Sequence, residues 1–152
     1  MSVITVRKAL SGDMPELLEI RREMLAIVNA VPESGISDEI MRLSEEYFTT
    51  GDQTTVLAFC GNRLAGCATI CWLTVMPTYS HPSGKRAHIM NVYTRSEFRR
   101  MGAAREMMSA LLSEARQRGA TSITLDATES GRPLYEAFGF HGSEEHMELI
   151  LN

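Results

Sequence analysis

The chain has little of what would assign it quickly. It holds three cysteines and no C-x-x-C pair, so neither a disulfide framework nor a zinc-ribbon spacing is present. Cys67 and Cys71 stand an even number apart in a strand-like run and share one face, which reads as reduced core thiols with no metal. No stretch is long and apolar enough to span a membrane. Residues 1–7 carry no signal-peptide pattern, so the cytoplasm is the expected location and no membrane partner is expected. The net charge is −4, which gives no global field to attract nucleic acid. Neither G-x-x-x-x-G-K-[ST] nor G-x-G-x-x-G occurs, which argues against a nucleoside-triphosphate P-loop and a Rossmann site. Repeats, low-complexity tracts and linkers are absent too, and 152 residues predict one domain over 1–152.

What is present concentrates around residues 91–104. Asn91 to Thr94 end an apolar strand, Arg95 to Gly102 form a basic turn, and a long helix follows. Ala104, Met107, Met108, Leu111, Leu112 and Ala115 repeat at the three-and-four spacing of one buried face. Gly119 predicts its end. A helix start exposes unpaired N–H groups and the positive end of the dipole. Gly102, Ala103 and Ala104 leave those N–H groups open, and Arg99, Arg100 and Arg105 add charge. This predicts a phosphate or diphosphate cradle; alone, it also reads as an ordinary basic turn.

The rest of the pattern alternates. Val3 to Lys8 reads as a strand. A helix capped at Ser11–Asp13 carries Leu17, Leu18, Ile20, Met24, Leu25 and Val28, with Pro15 in its first turn. Ser37 or Asp38 opens a second helix with Ile40, Met41, Leu43, Tyr47 and Phe48, and Gly51 breaks it. Thr54 to Phe59 and Leu64 to Val75 predict a hairpin about Gly61-Asn62, with Gly66 marking a bulge. Arg86 to Thr94, Ile123 to Ala127 and Met147 to Leu151 are further strands. The order predicts an α+β fold with a mixed, mostly antiparallel sheet. The unit from Ile89 through the long helix to Leu125 should be a right-handed parallel crossover.

Two local motifs carry a resemblance. Arg99-Arg100-Met101-Gly102-Ala103-Ala104 is similar to the phosphate loop [Q/R]-x-x-G-x-[G/A] of the GNAT superfamily of acetyl-CoA-dependent N-acetyltransferases. Leu134-Tyr135-Glu136-Ala137-Phe138-Gly139-Phe140 resembles that family's late L-Y-E-x-x-G-F. They occur in the family's order and separation, and the resemblance is strong from about His88 onward. It implies a twisted GNAT-like sheet with helices on both faces. Acetyl-CoA is implied as co-substrate, and a small-molecule or peptide amine as acceptor.

The resemblance also implies roles. Tyr135 would protonate the departing thiolate; its other reading is a packed aromatic. Val92, Tyr93 and Thr94 would offer main-chain groups to the pantetheine arm, and residues 99–105 would hold the diphosphate. Thr128 stands where many members carry an Asn that binds the arm, and reads equally as a turn that caps the next helix. His88 lies where some members carry a catalytic Glu. It sits an even number of residues before Val92, which predicts a shared face, and imidazole is suited to accepting the amine proton. A strand-edge His bonded to a neighbour is the alternative. Glu33, Tyr79 and His81 occupy loops that would wall the acceptor side, and also read as solvated loop residues. Met90, Met107, Met108 and Met147 suggest a homodimer contact. A second function fits the cradle as well: a non-catalytic acetyl-CoA-binding sensor or complex subunit.

Overall fold

The computed structural model describes residues 3–151. Strand β1 (Ile4–Lys8) leads into helices α1 (Met14–Asn29) and α2 (Asp38–Thr50). Strands β2 (Gln53–Cys60), β3 (Arg63–Thr74) and β4 (Lys85–Thr94) follow. Helix α3 (Ala103–Arg118), strand β5 (Ser122–Leu125) and helix α4 (Arg132–Ala137) complete the order. The strands make one sheet in the order β1-β2-β3-β4-β5. Every pairing is antiparallel except β4 with β5, where the α3 crossover makes the strands parallel.

Local chemistry explains the boundaries. Ser37 Oγ accepts from the Ile40 N–H at 3.0 Å and caps α2. Pro15 sits in the first turn of α1, where its missing N–H costs nothing. Gly119 ends α3 in the left-handed conformation.

Each face of the sheet carries its own core. On one face Met107, Met108, Leu111 and Leu112 of α3 bury against Ala58, Ile70, Ala87 and Ile89. On the other, Leu17 and Ile20 of α1 bury against Leu57, Leu64 and Cys67. A fully buried Leu or Ile contributes roughly 1.5–3 kcal/mol, so these two clusters hold the layers together.

Four expectations are corrected. Residues 147–151 form no strand and lie exposed, Met147 at 92 %. Val28 is exposed rather than on the buried stripe of α1. Met107 and Met108 lie inside the α3 core, so they cannot reach a second chain. The fourth concerns His88 and depends on a bulge.

Two bulges interrupt the sheet. In the β2–β3 ladder Ala58 faces Gly66 while Phe59 faces Leu64, leaving Ala65 as the extra residue beside the predicted glycine. In the β3–β4 ladder Cys67 faces Tyr93 while Thr69 faces Met90, so β4 carries one extra residue. Asn91 takes up the excess with φ 61°, a conformation Asn tolerates better than most residues. The bulge reverses the alternation. Val92 packs on the α3 face, whereas His88, opposite Cys71, lies on the face toward α1 and α2. The expected common face for His88 and Val92 therefore does not hold.

Candidate active site

The turn before α3 is built as an open cradle. Arg100 and Gly102 both adopt positive φ, at 64° and 85°. That geometry wraps the chain tightly before the helix, and only glycine enters it without strain. A Cβ placed on Gly102 would meet nothing within 4 Å. The first helical closure is Glu106 N–H to the Gly102 carbonyl. The N–H groups of residues 101–105 meet no backbone acceptor among the described residues. These donors, the helix dipole and the nearby arginines suit an anion. Arg99 Nε leans on the Thr94 carbonyl at 3.5 Å, and Arg105 lies over the Phe138 ring. Arg95, grouped with them by sequence, turns away. It pairs with Glu23 at 2.8 Å and donates to the Leu64 carbonyl.

Next to the cradle, β4 outruns its neighbour. β5 ends at Leu125, opposite Ile89, so among the described residues no strand lies beside residues 90–94 of β4 on that side. Val92, Tyr93 and Thr94 border this gap. Their backbone groups there are free to pair with an extended ligand, as an edge strand does. The side chain of Tyr93 packs toward α1, and burial pushes its phenol pKa up. Gly66 lies so close to β4 that an added Cβ would sit 2.6 Å from the Tyr93 carbonyl oxygen.

Tyr135 projects from α4 into the partly buried rim of the α3 core, edge-on to Phe140 at 6.2 Å between ring centres. Burial raises its pKa, which keeps the proton on the oxygen at neutral pH. Among the described residues its hydroxyl has no hydrogen-bond partner. Thr128 Oγ1 accepts from the Gly131 N–H at 3.1 Å, so its hydroxyl is engaged in the turn before α4.

On the opposite face the bulge borders a cleft of 410 Å³. Its roof is α2, through Ile40, Leu43, Tyr47 and Phe48; its floor is Thr69, Cys71, Met90 and Asn91 of the sheet. The apolar stripe of α2 thus forms the wall of a cleft rather than solid core. Arg21 reaches in from α1 and donates to Asn91 Oδ1 at 3.0 Å. Cys67 Sγ donates to the Asn91 carbonyl at 3.5 Å, so both ends of the bulge residue are held. Burial lowers the Arg21 pKa. Tyr47 has its own phenol pushed up to about 12, chiefly by burial.

His88 shares this face of the sheet. Its Nδ1 lies 2.7 Å from Thr124 Oγ1, and Nε2 lies 3.9 Å from Asp126. The three loop residues lie elsewhere. Tyr79 is fully exposed. His81 Nδ1 is tied to Thr121 Oγ1 at 2.8 Å, near the Lys85 end of β4. That end stands roughly 20 Å along the strand from Asn91, at about 3.3 Å per residue. Glu33 is exposed in a short turn whose carbonyl accepts from Arg22. None of the three lines the cleft.

Arg21 and Asn91 escaped the sequence reading. Asn is disfavoured inside a strand, so Asn91 in an apolar run was a usable sign of a bulge. Arg21 beside Ile20 carried no such sign, because its partner lies 70 residues away.

The model of the acetyltransferase (GNAT) family matches residues 18–140. A predicted acetyltransferase from Clostridium acetobutylicum, solved with acetyl-CoA, is 30% identical, with a TM-score of 0.83 over 97% of this chain and 96% of that one. A GCN5-related N-acetyltransferase from Ralstonia eutropha JMP134 is 23% identical, with a TM-score of 0.81 over 97% and 98%. Glucosamine-6-phosphate N-acetyltransferase from Arabidopsis thaliana, at 18% identity and a TM-score of 0.72 over 99% of each chain, shares the fold. No curated protein matches by sequence. The family match runs from within α1 past the end of α4 and so spans cradle, gap and cleft alike: the chain belongs to the acetyltransferase (GNAT) family and is an acyltransferase.

Proposed function

We propose that the chain moves the acetyl group of acetyl-CoA to a primary amine, by direct attack of the amine on the thioester. One observation carries this reading. The open cradle at the start of α3, the unpaired length of β4 and the bulge at Asn91 lie in sequence between residues 90 and 105, and the bulge opens onto an apolar cleft. Residues 99–105 hold the diphosphate through backbone N–H groups and arginine charge. Val92, Tyr93 and Thr94 pair with the pantetheine amides through their main chains, and Thr128 borders the same arm. This immobilises the thioester beside the cleft, where the entropic cost of encounter is already met.

Two side chains move protons. Tyr135 stays protonated because burial raises its pKa, and it donates to the sulfur as the C–S bond breaks and the N–C bond forms. His88 takes the proton lost by the amine, directly or through water; Thr124 orients the ring. Solvent returns the proton to Tyr135. The cleft is open rather than plugged, which supports turnover over mere cofactor binding. Glu33, Tyr79 and His81 remain as outer contacts for a larger acceptor, and the chain acts as a single domain. The test is release of free thiol from acetyl-CoA across a panel of amines. The reading fails if no amine raises thiol release above solvent hydrolysis while acetyl-CoA binds.

A further inference from the structure

The strongest unassigned feature is the charge inside the cleft. Among the described residues, Arg21 is the only charged one that lines it, and none of the lining residues is acidic. Arg95, which reaches toward the same face from the end of β4, is neutralised by Glu23. Arg21 has no such carboxylate among the described residues. Its Nη1 donates to the neutral Asn91 Oδ1, its Nε makes a long contact to Ser44 Oγ at 3.4 Å, and its Nη2 has no acceptor among the described residues. Arg21 is half-buried, and a guanidinium partly removed from water without a counter-ion carries a cost that an anion would relieve. Five N–H groups in a planar fork suit a carboxylate, and here the edge bearing Nη2 is left over.

From this we infer that the acceptor is a small apolar amine bearing a carboxylate, of the size and kind of a free apolar amino acid, whose carboxylate is seated on Arg21. The inference rests on the acetyl-transfer reading above. Ile40, Leu43, Phe48 and Met90 take the apolar side chain. A cleft of 410 Å³ lies at the small end of ligand sites and suits one residue rather than a polymer. Phosphate is disfavoured, because a dianion would face a single cation among apolar walls. A sugar is disfavoured too, because its hydroxyls would find few partners.

The test compares L-phenylalanine, L-phenylalaninamide and phenethylamine as acceptors, with L-leucine and L-leucinamide as a second set. Thiol release is followed for wild type, Arg21→Met and Arg21→Lys. Wild type should favour each acid over its carboxylate-free partners by about 10- to 100-fold in kcat/KM, compared at equal concentrations of neutral amine, the usual scale for a charge-assisted hydrogen bond. Arg21→Met should bring that ratio close to one, and Arg21→Lys should keep part of it. Circular dichroism melts show whether each variant folds. Equal use of acid and amide by wild type overturns the inference and leaves acetyl transfer standing, and so does an acid preference that survives in a folded Arg21→Met. Calorimetry with N-acetyl-L-phenylalanine and its amide gives a readout that needs no turnover. Preferential binding of the acid without turnover of any amine supports the anion seat and overturns acetyl transfer. No preference in either assay overturns the seat.

Discussion

Replacing Tyr135 by Phe keeps the ring that meets Phe140 edge-on and removes one proton. General acid catalysis is commonly worth about 100- to 10,000-fold. The variant should lose kcat by that factor while acetyl-CoA affinity, read by calorimetry, barely moves. Unchanged kcat would return the proton donation to water or substrate and leave Tyr135 a packed aromatic. His88→Gln separates two roles. If His88 accepts the amine proton, the acidic limb of the pH–rate profile flattens. If it is a strand residue bonded to Thr124, stability falls and the limb stays. Residues such as Tyr135 and Gly102 were legible in the sequence because their surroundings are local: one short helix, one tight turn. Arg21 was not, because its meaning comes from what α2 and β4 do and do not place beside it. His88 was legible as a position but not as a direction, because facing depends on an inserted residue three places on.

At the level of elements, the start of α3 is the most exposed to a single change. Gly102→Glu puts a carboxylate where anionic ligand and free N–H groups should meet, and a side chain at φ 85° is strained as well. Acetyl-CoA binding should vanish by calorimetry while α3, held by Met107, Met108 and Leu111, stays folded. Wild-type affinity in that variant would place the diphosphate elsewhere. Gly66→Ala acts from the neighbouring strand. Its methyl would press on the Tyr93 carbonyl at 2.6 Å and the Thr94 Cα at 3.3 Å, backbone atoms that cannot swing aside. Overpacking of this kind costs about 1–3 kcal/mol. Urea melts should show that loss, and KM for acetyl-CoA should rise because β4 shifts where the arm binds. The strands and helices up to α4 were legible because alternation and helical spacing reflect burial. The segment 147–151 has the same apolar composition but no partner strand, and composition cannot say whether a partner is available.

For the molecule as a whole, acid stability has an identifiable contributor. Arg7, bonded through both guanidinium nitrogens, holds the Asp13 carboxyl at about 2, helped by the Leu10 N–H. An unfolded Asp titrates near ~3.9. The folded value is depressed, so the stabilisation is complete above that pH and drains away as pH falls toward 2. Arg7 is largely solvated, which screens the pair, so roughly 1 kcal/mol is expected at neutral pH. Asp13→Asn should lower the neutral melting temperature and match wild type near pH 2. Equal curves at pH 7 would show the pair to be energetically idle. We propose a homodimer with Met147, which is exposed, available for the contact; Met90 faces the cleft instead. A monomer mass by light scattering at micromolar concentration would end it.

The extra residue at Asn91 gives β4 a reading frame. Upstream of it, even-numbered side chains look toward α1 and α2; downstream, odd-numbered ones do. Deleting a single residue there would not merely shorten the strand. It would send the Tyr93 phenol into the α3 core and the Val92 isopropyl toward Arg21, while Ala87, His88 and Ile89 kept their places. A chain of this kind can therefore accept many substitutions along β4 and scarcely any one-residue gap. Length, more than identity, is what this strand must preserve.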